Sequence, residues 1–246
     1  MLSQNSLSEE AIIMKKVALL VLIFLCAAGF AANYGVYYDQ TIGKSTAIFV
    51  SNLSEEKAYF RVVVYDYKGN TIWQNSYRSN EFETVWVDLS QVIPQSDENW
   101  GLVLIQSDQL LYISALYKSD DVLVGRDHVI EPVQVSSDAK YYWYGLNYTN
   151  FVESQTAFSI MNTSDREADV IIDIYSYEGD FLDELSGTIS PRAAAYINLS
   201  EEIQTGSMGV IDIRSTELLI LGVEYYDKGG LWGIENIVDW YTTTSW

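Results

Sequence analysis

Most of this chain is written twice. Slid 110 residues along itself, the sequence places Tyr34-Gly35 on Tyr144-Gly145, Thr46-Ala47 on Thr156-Ala157, and Asn52, Ser54 and Ala58 on Asn162, Ser164 and Ala168. Tyr65, Tyr67 and Gly69 fall on Tyr175, Tyr177 and Gly179, and Leu89-Ser90 on Leu199-Ser200. After a two-residue deletion the offset becomes 108, and Gly101, Ile105, Ser107, Leu111, Tyr117 and Gly125 meet Gly209, Ile213, Ser215, Leu219, Tyr225 and Gly233. A register held for roughly 100 residues means a duplicated domain and not a short-period solenoid. A copy of about 105 residues is large enough to bury one hydrophobic core without staples.

Within each copy the dominant period is two. Tyr59-Phe60-Arg61-Val62-Val63-Val64-Tyr65-Asp66-Tyr67 is rich in β-branched and aromatic residues, Lys68-Gly69-Asn70 turns the chain, and Thr71-Ile72-Trp73 resumes it. That is a hairpin signature. Val170 to Tyr177, Glu178-Gly179-Asp180 and Phe181-Leu182 repeat it. A second hairpin, Leu102 to Ile105 returning through Leu110 to Tyr117, recurs as Gly209 to Ile213 and Leu218 to Tyr225. About seven short strands per copy point to a sandwich. Leu89 to Ile93 and Leu199 to Ile203 allow one helical turn each. The expected architecture is all-β: two tandem immunoglobulin-like or jelly-roll-like β-sandwich domains after an N-terminal signal helix, with a leader over 1–32, repeat 1 over 33–135 and repeat 2 over 141–246.

The leader has the order of a secretory signal peptide. Met14-Lys15-Lys16 is basic, 17–30 is apolar, and small residues follow at Ala31-Ala32. Met14 is the expected initiator. The rival reading, an uncleaved anchor, wants about 20 apolar residues, more than 17–32 offers. Cys26, the lone cysteine, sits inside the apolar run, and the large Ile23-Phe24-Leu25 before it argues against lipidation. After cleavage no thiolate nucleophile, thiolate metal site or disulfide remains. A net charge of −20 argues against nucleic acid as a partner, because a phosphate-binding surface needs clustered Lys and Arg. It also disfavours an anionic membrane surface.

Chemistry-bearing patterns are sparse. His128 is the lone histidine, whereas imidazole ligands come in sets. Asp120-Asp121 and Asp138 invite Ca²⁺ or paired-acid hydrolysis, but no Asp-x-Asp-x-Asp-Gly loop accompanies them. Gly-x-Ser-x-Gly and the phosphate-cradling glycine motifs are missing from the sequence, so no enzyme, metal or cofactor is expected.

Aromatics are the class with functional potential. The chain holds 7 Trp and 19 Tyr, with runs at Tyr37-Tyr38, Tyr141-Tyr142-Trp143-Tyr144, Tyr225-Tyr226 and Trp240-Tyr241. Alternate side chains of a strand face opposite ways, so a run sends some rings to solvent. Exposed rings stack on sugars or anchor proteins, and buried ones fill sandwich cores. Tyr141, Tyr142, Trp143 and Tyr144, beside the polar junction 131–140, are the expected ligand-binding patch, since ligands favour domain boundaries. Asn52, Asn147, Asn162 and Asn198 head Asn-x-Ser/Thr triplets, which are read as turns before glycan acceptors.

Met161-Asn162-Thr163-Ser164-Asp165-Arg166-Glu167-Ala168 leading into Asp169 to Tyr175, then Pro191-Arg192 before Ala195-Tyr196-Ile197-Asn198-Leu199, then Gly209-Val210-Ile211, resembles the small β-sandwich of the sensory rhodopsin transducer family. The resemblance covers about 80 residues of the second copy, recurs more weakly in the first, and implies a sandwich fold. That family is cytoplasmic, single-domain and oligomeric, so no functional residue is carried over to a duplicated, exported chain.

Together these features predict a non-enzymatic exported protein-interaction or structural surface module, located in the periplasm, on the cell surface or outside the cell. Its partner is a protein or polysaccharide, with a homo-oligomer as one possibility. Carbohydrate binding through exposed Tyr and Trp is the alternative, and a paired-acid hydrolase is a distant third.

Overall fold

The computed structural model describes residues 32–129, 141–237 and 241–243. The expected signal segment with Met14 and Cys26, the junction 131–140 and Trp240 lie outside the described residues. Among the described residues no helix is long and apolar enough to cross a membrane.

The first repeat contains β1 (Ala32–Asp39), β2 (Lys44–Asn52), β3 (Ala58–Asp66), β4 (Thr71–Ser79), β5 (Thr84–Asp88), β6 (Trp100–Ser107), β7 (Leu111–Ser119) and β8 (Val122–Val129). The second contains β9 (Tyr141–Phe151), β10 (Ser154–Asn162), β11 (Ala168–Ser176), β12 (Phe181–Ile189), β13 (Ala194–Asn198), β14 (Ser207–Ser215), β15 (Leu219–Asp227) and β16 (Gly230–Ile237), and a short β17 (Tyr241–Thr243) pairs with β9. Each repeat therefore has eight core strands, one more than the turn spacing suggested. One helical turn follows β5 (Leu89–Gln91) and one follows β13 (Leu199–Glu202), and Asp88 and Asn198 cap them through their side-chain oxygens.

The two repeats share one topology. In the first, sheet β1-β6-β3-β4 faces sheet β5-β2-β7-β8. In the second, β9-β14-β11-β12 faces β13-β10-β15-β16, and β9 is long enough to bend and pair at Phe151 and Asn150 with β10 as well. Alternation sets the faces: Ala58, Phe60, Val62 and Val64 of β3 are buried, while Tyr59 and Arg61 look outward. Gly69 and Gly179 sit at φ 86° and 89° in matching hairpin turns, a conformation glycine adopts without strain.

Matching hydrogen bonds anchor the two copies. The Tyr34 hydroxyl accepts from the Leu111 amide at 2.7 Å, and that of Tyr144 from Leu219 at 2.6 Å. Asn52 and Asn162 are fully buried in turns, with side-chain nitrogens donating to the carbonyls of Glu56 and Arg166, both at 2.6 Å. A glycan on either nitrogen has no room in the folded chain. Asp120 and Asp121 form the β7–β8 turn with φ 48° and 63°, the geometry of a type I′ hairpin.

Two cores result, and they are unequal. The second is built wholly from its own repeat. The first also takes in Met161, Ile220 and Ile234 from the second repeat. The repeats are therefore joined by buried apolar surface.

Candidate functional site

The joint forms where the outer face of β1 and β6 lies on the outer face of β10 and β15. Gly35 and Gly222 make that approach possible. A β-carbon on Gly35 would overlap Ile220 Cδ1 at 1.8 Å, and one on Gly222 would lie 2.5 Å from Tyr37 Cγ. The Tyr37 ring thus fills the space that Gly222 leaves. A second contact lies between the β3–β4 and β12–β13 turns, where the Ala194 amide donates to Tyr67 O at 2.9 Å.

A polar latch sits at the edge of this joint. Tyr37 donates its hydroxyl to Glu224 at 3.1 Å, and Lys44 Nζ lies 2.7 Å from Asp39 Oδ2 and 3.1 Å from Glu224 Oε1. Tyr226 donates to the second Glu224 oxygen. Burial, then Glu224 and Asp39, push the Tyr37 phenol well above its usual pKa. Burial works against the Lys44 ammonium, but the two carboxylates outweigh it and raise its pKa. Tyr117 donates to Tyr37 O at 2.8 Å, and Asn236 bonds both the Tyr117 hydroxyl at 2.6 Å and the Tyr37 amide at 2.7 Å. A cavity of about 200 Å³ opens beside the latch, walled by Trp100 and Tyr196. Asp39 and Glu224 are both engaged on one lysine, as Asp173 and Asp212 are on Arg214, which is the arrangement of a clamp.

The expected patch 141–144 is split by strand alternation. Tyr142 and Tyr144 are buried in the second core, out of reach of a ligand, and Tyr141 and Trp143 are half-buried. Trp143 packs beneath the Arg214 guanidinium, 5.8 Å from ring centre to Cζ. The run that brings aromatics together in sequence therefore separates them in space.

The outer face of β5-β2-β7-β8 carries one exposed ring, Trp86, beside the half-buried Phe49 and Tyr112. Register places Trp86 opposite Phe49, Phe49 opposite Ser114, and Ser114 opposite His128, with Tyr112 one step along β7. Phe49 and Trp86 stack at 5.6 Å with planes 15° apart, and Tyr112 and His128 meet at 5.3 Å. Tyr112 is hydrogen-bonded to His128 Nδ1. Trp86 is 63% exposed. It also walls a groove of about 390 Å³ with Tyr77, Asp88 and Gln91.

This face is the counterpart, in the first repeat, of the surface that the joint buries in the second. Trp86 corresponds to Tyr196, Phe49 to Ser159, Tyr112 to Ile220, Ser114 to Gly222 and His128 to Asn236. In the second repeat the joint covers Ser159 and Ile220 and leaves Tyr196 at the rim, 44% exposed; in the first repeat Trp86 is exposed, Phe49 and Tyr112 are half-buried, and Ser114 is buried beneath them.

No known protein family matches the chain, and no curated protein does. Among solved structures it is similar to the PBSX exported protein XepA, at 10% identity and a TM-score of 0.24 over 74% of this chain and 81% of that one. A lectin from Pleurotus ostreatus gives 10% identity and 0.25 over 87% and 78%. A glycosyl hydrolase family 2 member from Bacteroides cellulosilyticus gives 7% and 0.17 over 83% and 27%. Scores of this size carry no inference, and the site is read from this chain's own residues.

Proposed function

We propose that the chain is a non-enzymatic, exported interaction or structural module whose working surface is the open outer face of β5-β2-β7-β8. One observation carries this reading: Trp86, 63% exposed, stacks on Phe49 with Tyr112 on the same face of the first repeat, where the counterparts of Phe49 and Tyr112, Ser159 and Ile220, are buried in the second. Grouped apolar rings left in water mark a contact surface, because removing their area from water is favourable by about 25 cal/mol per Å². Tyr and Trp are also the residues that anchor interfaces. Oxidative footprinting tests the reading. Trp86 in the protein on its producing cells should be protected relative to the dilute purified chain, and equal reactivity in both settings would overturn it.

The exposed Trp86 ring, nearly parallel to Phe49 and with Asp88 and Gln91 beside it, supports a second reading, a sugar platform. A tryptophan-fluorescence titration with soluble polysaccharides decides between them. A saturable shift that vanishes in Trp86→Ala would favour sugar, and a flat response would leave the protein-contact reading in place.

A further inference from the structure

We infer that the cavity beside the latch is a binding site for a small organic ammonium ion, held where the two repeats meet. The site is separate from the open face of β5-β2-β7-β8. Asp39 is 2% and Glu224 1% exposed, and among the described residues Lys44 is the one cation that pairs with either. Two carboxylates against one ammonium leave one negative charge unbalanced, away from bulk water. A buried charge without a partner is costly, so a second cation that reaches it is favoured. The cavity of about 200 Å³ gives that access, because both carboxylates line it together with Tyr37, Thr41 and Lys44.

The walls of the cavity select the kind of cation. Trp100 stacks on Tyr67 at 5.2 Å with planes 10° apart, and meets Tyr196 edge-on at 6.1 Å and 70°. Two rings set so steeply make a corner, and Lys44 Nζ already lies 5.9 Å from the centre of a third ring, Tyr226. Ring faces attract ammonium groups, most strongly where water is excluded. An alkylammonium also covers apolar ring surface with its methyl groups, which a hydrated inorganic ion does not. Glu224 Oε2 is the receiving atom. Tyr226 donates to it, and the half-exposed Tyr196 reaches it only at 3.5 Å, a long bond that a guest can replace. The other carboxylate oxygens are taken: Asp39 Oδ1 by the Thr41 amide and hydroxyl at 2.8 and 2.6 Å, Asp39 Oδ2 by Lys44 at 2.7 Å, and Glu224 Oε1 by Tyr37 and Lys44, both at 3.1 Å. Neither repeat holds the set alone. At the aligned positions of the other copy, Thr149, Ser154 and Met208 stand for Asp39, Lys44 and Trp100, and Trp86 and Leu116 for Tyr196 and Glu224. The site exists only where the repeats join, and an ion bound there fastens one to the other.

Calorimetric titration of the protein at fixed ionic strength, which holds general screening constant, tests the site. Tetramethylammonium and choline should each saturate a single site, and sodium and the uncharged carbon isostere of choline should not. Trp100→Leu keeps an apolar side chain in the joint but removes the ring, and should weaken choline by about tenfold or more. Glu224→Gln leaves Lys44 and Asp39 balanced one to one, and should weaken choline to a similar degree. Lys44→Met gives a readout that a purely structural latch would not. With both carboxylates unbalanced it should bind choline about tenfold more tightly than wild type. Choline should also raise its melting temperature by more than it raises that of wild type. No saturation of the wild type by either ammonium ion at high millimolar concentration would overturn the inference. So would an uncharged isostere that binds as tightly as choline, or a Trp100→Leu variant that melts like wild type and binds choline unchanged. Phosphatidylcholine vesicles separate the free ion from a lipid head group: protein that sediments with vesicles but gives no heat with choline would overturn the free ion as the guest.

Discussion

Lys44 of the first repeat lies 3.1 Å from Glu224 of the second and 2.7 Å from Asp39 of its own, and both carboxylates are almost wholly buried. One ammonium thus bridges two carboxylates in the joint and neutralises one of their two charges. Removing one partner of such a group leaves a buried charge without compensation, at a cost of about 3–5 kcal/mol. Lys44→Met should lose stability on that scale in chemical denaturation. Adding Asp39→Asn and Glu224→Gln to it should recover most of the loss. A single variant within about 0.5 kcal/mol of wild type would show that the latch carries no stability.

The same groups set an alkaline limit. Lys44 has a folded-state pKa raised above 10.5, so its contribution is complete below that value and fades as pH rises through the folded pKa. Tyr37, raised above 10.0, acts in the same direction, because its neutral phenol is the form that the buried joint holds. Thermal melts should be flat from neutrality to about pH 10 and fall above it. Lys44→Met, starting lower, should show a shallower fall. A wild-type curve as shallow as the variant's would mean that the lysine does not titrate with unfolding.

Gly222→Ala tests the fit of the joint. The added methyl would sit 2.5 Å from Tyr37 Cγ, and the ring is held by its bond to Glu224. Overpacking of this kind costs about 1–3 kcal/mol. Combining it with Tyr37→Leu should remove most of the extra penalty, a coupling that a double-mutant cycle measures. Ser114→Ala, at the equivalent place on the open face, should change stability by less than about 0.5 kcal/mol.

The sequence made the duplication and the hairpins plain, because local periodicity and turn glycines carry them. Tyr59 to Asp66 became β3, the glycine turns fell at Gly69 and Gly179, and the short Leu-Ser helical turns appeared after β5 and β13. The stretch that carries the family resemblance, 161–175, became the end of β10, the buried Asn162 turn and β11. The aromatic strip was hidden because its members come from different strands: Phe49, Trp86, Tyr112 and His128 are neighbours only once register is set. A signal was nevertheless present in the places where the aligned copies disagree. Tyr112 against Ile220 and Leu116 against Glu224 mark the face that the joint buries in the second repeat, and Asn147 against Tyr37 the face that it buries in the first. Agreement between copies reports the core, and disagreement reports the faces.

The paired tyrosines give the sharpest test of the duplication itself. Tyr34 and Tyr144 each accept a buried backbone amide, from Leu111 and Leu219. Burial pushes both phenols up in pKa, so they stay neutral throughout the stable range of the protein. Phenylalanine keeps the ring but leaves the amide without a partner, which costs about 1–3 kcal/mol. Tyr34→Phe and Tyr144→Phe should therefore lose similar stability and speed hydrogen exchange at Leu111 and Leu219 respectively. Both should keep one unfolding transition, because the first core contains Met161, Ile220 and Ile234 and cannot melt without disturbing the second repeat. Two resolved transitions in either variant would mean that the repeats fold independently and that the joint is weaker than its burial implies.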